Sequence, residues 1–329
     1  MPLATAQFPI STVHASISYF QAIVIGLLQG VTELFPISSL GHSVLVPALL
    51  GWHSLVGQQA ANESPYLAFL VGLHCATALA LLVFFRTDWI RILKGGLATV
   101  GKRRIDTADE RLFWLLVVVT IPAGAIGLAF EHALRTNFAK PLAAAVFLFC
   151  NGVILLAGER VRRGAGVRSL ATAPAPAPGD APQRRAHAAG RSARSGRPAT
   201  RRLATLGYGE ALVIGFFQAL ALLAGISRSG VTMVGGLVRG LDHEDAARFS
   251  FLAATPIIAA AGVYKLHDLV GPNGSGIRGQ VLAGSVVAAV AAYFSVAFLV
   301  KFFETRTLTP FGIYSLVAGA ILIVRFGLL

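Results

Sequence analysis

The sequence predicts an all-α polytopic membrane protein, an inverted-topology repeat with about six spanning helices and two re-entrant helical hairpins. Three observations lead there. Of 329 residues, 55% are hydrophobic and 13% charged, with mean hydropathy +0.69, whereas soluble domains carry about 25% charged residues. Six apolar runs, at 66–85, 112–130, 141–158, 249–265, 281–303 and 308–328, suit a hydrocarbon core of about 30 Å. Two further apolar regions, 15–51 and 208–241, are broken in the middle by polar residues, Gly and, in the first, Pro36.

Taken in order, 1–162 reads as a first membrane repeat, with hairpin 15–51 followed by three spans. Each half of the hairpin is too short or too polar for an ordinary span. Non-helical backbone survives at membrane depth only where protein or a wet cavity surrounds it, so a helix–turn–helix hairpin is expected. Residues 163–205, rich in Ala, Pro, Gly and Arg, have little apolar surface to offset ordering entropy and read as a disordered basic linker. Residues 206–329 read as the second repeat, hairpin 208–241 and three spans. Pro122 and Pro256 fall inside spans, where membrane helices tolerate them.

The two hairpins are related in sequence. Residues 22–43 align without gaps to 211–232, with nine identities in 22 positions that include Gln29/Gln218, Ser38/Ser227 and Gly41/Gly230. The matches cover polar residues, so shared apolar composition does not account for them. Three spans separate the hairpins, which inverts the second relative to the first and puts a site where broken helices meet.

The net charge of +13 suggests nucleic acid only until it is located. Residues 160–202 hold 11 Arg and one acid, Asp180, and the rest of the chain is close to balance. A single basic loop is a topology signal, and no nucleic-acid partner is expected. The 86–111 loop, with seven basic residues, and the linker are two crossings apart, so both fit the cytoplasmic side. Cys75 and Cys150 lie in apolar runs and read as packing residues.

The first hairpin carries Gln29, Thr32, Glu33, Ser38, Ser39 and His42. An ionisable group at membrane depth costs at least about 2.5–3.5 kcal/mol, so Glu33 needs a polar interior and a partner. Ser, His and a carboxylate within ten residues suit nucleophilic or acid–base chemistry; a capped start for the helix at 40–50 suits the same residues equally. The second hairpin offers Gly225, Ser227, Arg228, Ser229 and Thr232, which together suit an anion site at a helix N-terminus. Arg228 would alternatively serve as counter-ion to Glu33. His74 reads as a helix–helix hydrogen bond, and Lys265 as a side chain reaching the interface.

Together these residues support an intramembrane site for an anionic, phosphorylated, lipid-linked substrate. Hydrolysis and transport stay open at this point. A transporter or flippase for an anionic lipid is the competing class, because inverted repeats with broken helices also serve secondary transport.

The pattern resembles the bacterial undecaprenyl-diphosphate phosphatases. The first motif is matched by Gln29, Glu33, Pro36, Ser38, Ser39, Gly41 and His42, the second by AGISRSGVT at 224–232, and the likeness continues through 249–263. The resemblance implies hydrolysis of undecaprenyl diphosphate to the monophosphate and inorganic phosphate, recycling the carrier lipid for cell-wall synthesis. It implies a multi-pass protein of the bacterial plasma (inner) membrane, among membrane lipids, with its site on the extracytoplasmic side; a homodimer is left open. It implies that Glu33, Ser39, His42 and Arg228 are catalytic, with Ser38, Ser227, Ser229, Gly230 and Thr232 binding phosphate. It also implies a divalent cation, Mg²⁺ or Ca²⁺, with Glu33 and Gln29 as its ligands. The nucleophile is Ser39, His42 or an activated water. Gln29 replaces a second Glu found in many members, which weakens a two-carboxylate metal site, and Ala224 replaces the motif proline.

Overall fold

Each unbroken apolar run forms a long helix, and each interrupted region forms two short ones. The computed structural model describes residues 17–60, 64–138, 140–171, 203–265 and 276–328, with 269, 271 and 274. Residues 1–16 and 172–202, which include the first residues of the expected hairpin and most of the expected linker, lie outside the described residues.

The first short pair is α1, Tyr19–Thr32, and α2, Ser39–Leu49. After a short α3, His53–Ala60, come α4, Pro65–Phe84, and α5, Arg86–Lys102. Helices α6, Ala108–Phe138, and α7, Pro141–Ala171, complete the first half. The second short pair is α8, Tyr208–Ala219, and α9, Arg228–Val238. It is followed by α10, His243–Tyr264, α11, Arg278–Phe303, and α12, Thr309–Gly327. Among the described residues, six helices are long and apolar enough to cross a membrane, in α4, α6, α7, α10, α11 and α12, matching the six expected spans.

Two sequence expectations change. The charged 86–111 stretch is not simply a loop. Its greater part is α5, an amphipathic helix whose Ile92, Gly96 and Thr99 are buried while its basic residues face outward. Trp114 Nε1 on α6 donates to Thr99 Oγ1 at 3.0 Å, which fixes the buried side. Charge density hid a 3.6-residue period there. The linker boundary at 163 also falls inside α7, which continues to Ala171.

The short helices are 14 residues for α1 and 11 each for α2 and α9. At 1.5 Å per residue even α1 reaches only about 21 Å. Their packing is reciprocal: α1 lies on α11 of the second half, and α8 lies on α6 of the first. Repeat-related glycines make both contacts possible. A Cβ on Gly26 would collide with the backbone of Gly284 in α11, and one on Gly215 would meet the Val119 carbonyl of α6 at 2.6 Å. Small residues let helix backbones approach where apolar burial gives no driving force between helices.

At the α7 end away from the hairpin tips, Glu159 Oε1 bonds His243 Nε2 at 2.6 Å and accepts the Leu308 N–H at 2.8 Å. This buried cluster ties α7 to the starts of α10 and α12.

Candidate active site

The site forms where the two short pairs turn. Helix α1 ends at Thr32, with Glu33 as its C-cap, and Pro36 keeps the chain from continuing. Ser38 then adopts φ +72°, a left-handed conformation unusual for a residue with a Cβ, and caps α2. Its Oγ accepts the Gly41 N–H at 3.2 Å and, across the molecule, the Gly225 N–H at 3.2 Å. The second turn repeats the device. Ser227 caps α9, and its Oγ accepts the Gly230 N–H at 3.2 Å. Ser39 and Arg228 are therefore the first residues of their helices.

Glu33 joins them. Its Oε2 accepts from Ser39 Oγ at 2.5 Å and from Gln29 Nε2 at 2.9 Å. Its Oε1 accepts from Arg228 Nη2 at 2.6 Å. The carboxylate is buried, and the guanidinium supplies the opposite charge that makes burial tolerable. The counter-ion reading of Arg228 thus holds without using the whole side chain. Arg228 Nη1 is buried and has no hydrogen-bond partner among the described residues, leaving a donor for an anion.

These groups open on a cavity of about 530 Å³, whose wall contains Glu33, Ser38, Ser39, His74, Ser227 and Arg228. Most of the remaining wall is apolar, with Leu128 of α6 and Ile257 and Ile258 of α10, and Gln218, Tyr264 and Lys265 also line it. A few polar groups in a large apolar cavity are what an anionic headgroup on a hydrocarbon chain requires.

Other expected residues lie elsewhere. His42 is buried outside this wall: its Nδ1 lies 2.7 Å from the Ser38 carbonyl and its Nε2 2.8 Å from the Tyr314 hydroxyl. Because a carbonyl only accepts, Nδ1 carries the proton and Nε2 accepts from Tyr314. Ser229, Gly230 and Thr232 are buried behind the second turn, outside the cavity wall. The Ser227 and Ser229 hydroxyls are 3.0 Å apart and bond each other.

Two residues given no chemical role in the sequence are close to the centre. His74 Nε2 lies 3.6 Å from Glu33 Oε2, with Nδ1 2.8 Å from the Leu70 carbonyl. Asn151, fully buried on α7, joins both turns. Its Nδ2 donates to the Pro36 carbonyl at 3.0 Å and to Ser315 Oγ at 3.1 Å, while its Oδ1 accepts the Ser227 N–H at 2.9 Å. The signal was a lone amide in an apolar span, which is costly unless satisfied. Asn151→Leu orphans buried groups at about 1–3 kcal/mol each. It is expected to cost roughly 2–4 kcal/mol and to lower turnover, measurable as a fall in Tm and in specific activity.

The residues do not form a protein-held cation site in this arrangement. Both Glu33 oxygens accept from N–H or O–H donors, and Gln29 presents its NH₂ rather than its carbonyl. Turning that amide over would set oxygen against oxygen. Among the described residues, no group of three or more His, Cys, Asp or Glu is placed to hold a metal.

Comparison with known proteins finds relatives over most of the chain. A family model described as bacitracin resistance protein BacA matches residues 22–321. Undecaprenyl-diphosphatase 2 of Frankia alni is 58% identical over 339 residues, covering 95% of this chain and 99% of that protein. The undecaprenyl-diphosphatases of Mycolicibacterium paratuberculosis and Mycobacterium avium are 57% and 56% identical over 307 residues, each covering 93% of this chain and 96% of the relative.

Proposed function

This chain belongs to the bacitracin resistance protein BacA family, and from that premise we propose that it hydrolyses undecaprenyl diphosphate to undecaprenyl phosphate and inorganic phosphate. The observation that carries the reading is Glu33, one carboxylate bonded to both Ser39 and Arg228 in the wall of a mostly apolar cavity.

In this reading the diphosphate enters beside the two helix starts while the polyprenyl chain runs along the apolar wall. Arg228 uses Nη1, and in part Nη2, to neutralise the terminal phosphoryl group as charge shifts in the transition state. The starts of α2 and α9 add their partial positive charge. Ser39 Oγ attacks the terminal phosphorus and passes its proton to Glu33 Oε2, 2.5 Å away. The bridging P–O bond breaks, and undecaprenyl phosphate leaves with the electron pair. Water then hydrolyses the phosphoserine. No step is assigned to a divalent cation.

The short helices are re-entrant in this proposal, with the site open to the extracytoplasmic face of the inner membrane. The length of α1 and the basic residues of 86–111 support that orientation.

The test is phosphate release from undecaprenyl diphosphate by detergent-purified protein, with rapid-quench analysis for phosphoserine. Ser39→Ala is expected to lower turnover at least about a thousandfold and to abolish the phospho-enzyme, as loss of an activated nucleophile does. Near-normal turnover in that variant would exclude attack by Ser39.

A further inference from the structure

The sequence nominates His42 as the imidazole of the reaction, yet the cavity contains a different one. His42 has both ring nitrogens engaged, with the Ser38 carbonyl and the Tyr314 hydroxyl, and its ring stacks on Tyr314 at 5.9 Å. Those bonds brace the strained Ser38 turn against α12. His74 is arranged in the opposite sense. Its Nδ1 lies 2.8 Å from the Leu70 carbonyl, one turn earlier in α4, so Nδ1 donates there and Nε2 is the nitrogen left to exchange a proton. Nε2 lies 3.6 Å from Glu33 Oε2, and the side chain is 28% exposed, facing the cavity. Of the other groups on Glu33, Gln29 cannot take up a proton, Ser39 is the group that gives one up, and Arg228 stays charged.

The geometry points to His74, working with Glu33, as the proton-carrying catalytic residue of the phosphatase reaction, with His42 as a positioning residue for the Ser38 turn. The inference rests on the hydrolysis reading above. When the Ser39 Oγ–P bond forms and the bridging P–O bond breaks, the hydroxyl proton reaches Glu33 Oε2 and passes to His74 Nε2. Glu33 is thereby restored as a carboxylate and keeps its ion pair with Arg228. In the second step a water oxygen bonds phosphorus and the Ser39 O–P bond breaks. One water proton passes through Glu33 to the Ser39 oxygen, the other stays on inorganic phosphate, and the imidazolium proton leaves to solvent.

His74 also lines a second cavity of about 290 Å³ that includes Gln59 and Lys265. The side chain is therefore reachable by a small molecule, which allows chemical rescue. Wild type, His74→Gln, His74→Ala and His42→Ala would be purified in detergent, checked for elution as wild type on size exclusion, and assayed on undecaprenyl diphosphate with and without free imidazole. Both His74 variants are expected to lose on the order of a hundredfold or more in kcat, the usual scale for a general acid–base, with KM within about threefold. Imidazole is expected to restore His74→Ala at least about tenfold and to leave His42→Ala unchanged.

Turnover of His74→Gln within about threefold of wild type would overturn the inference. A slow His74→Ala that ignores imidazole would overturn it too, because a purely structural role predicts that result. Absence of release by wild type would instead overturn the hydrolysis reading, so the two failures are distinguishable.

Discussion

Arg228→Ala is expected to lower phosphate release roughly a thousandfold, the scale seen when a guanidinium that stabilises phosphoryl transfer is lost. Two effects combine. The variant removes the Nη1 donor and also removes the Nη2 bond to Glu33 Oε1 at 2.6 Å. What is left is a buried carboxylate without its counter-ion, and breaking one side of such a pair costs about 3–5 kcal/mol. The carboxylate can avoid that cost by taking up a proton, and a protonated Glu33 no longer accepts the one from Ser39. Arg228→Lys separates the two effects. It keeps the charge but loses the planar fork, so it should recover stability more fully than turnover. The measurements are Tm in detergent and kcat on undecaprenyl diphosphate. Turnover of Arg228→Ala within about threefold of wild type would exclude the phosphate-clamp role.

Gly225→Ala is expected to have the largest effect on folding, roughly 3–5 kcal/mol. Gly225 holds φ +119°, a conformation that costs a residue with a Cβ about 1–3 kcal/mol. The added Cβ would strike the Ala144 carbonyl and lie 2.7 Å from the Leu148 nitrogen, so α7 would have to move. Overpacking of that kind costs about 1–3 kcal/mol more. The Gly225 N–H also bonds Ser38 Oγ, so a shift there would carry into the Ser39 turn. The comparison variant is Gly209→Ala, in the first turn of α8, where a Cβ meets nothing within 4 Å. Thermal unfolding should separate the two, with Gly209→Ala close to wild type. Equal Tm values for both would show that the second turn is not rigidly held.

Much of this was legible in the sequence, for physical reasons. The spans were readable because each apolar run must itself reach across the hydrocarbon. Glu33 and Arg228 were readable because charges in apolar segments require an explanation. Ser38 and Ser227 were readable because a shared offset set them in equivalent turns. His74 was not, since a single imidazole within a span carries no record of which helix it will face; only the fold sets α4 beside the first turn. The divided roles of the two histidines were hidden for the same reason. His42 belongs to the motif in sequence, but its partner Tyr314 lies on the last helix. Helix α5 was missed because its charges were counted while their spacing was not.

The reciprocal seating of α1 on α11 and of α8 on α6 sets an order of events on the ribosome. Gly26 leaves the exit tunnel long before Gly284, the residue against which it packs. At roughly 5–20 residues per second the interval is on the order of ten seconds or more. For most of that time the first short pair, with its buried-to-be carboxylate, has neither its docking helix nor its counter-ion. The nascent hairpin must wait in water, in the insertion machinery or at the lipid surface until the second half arrives. Folding of the candidate site is therefore a late, long-range event, and a chain arrested before α11 would hold Ser39 and Glu33 without the helix on which α1 is seated.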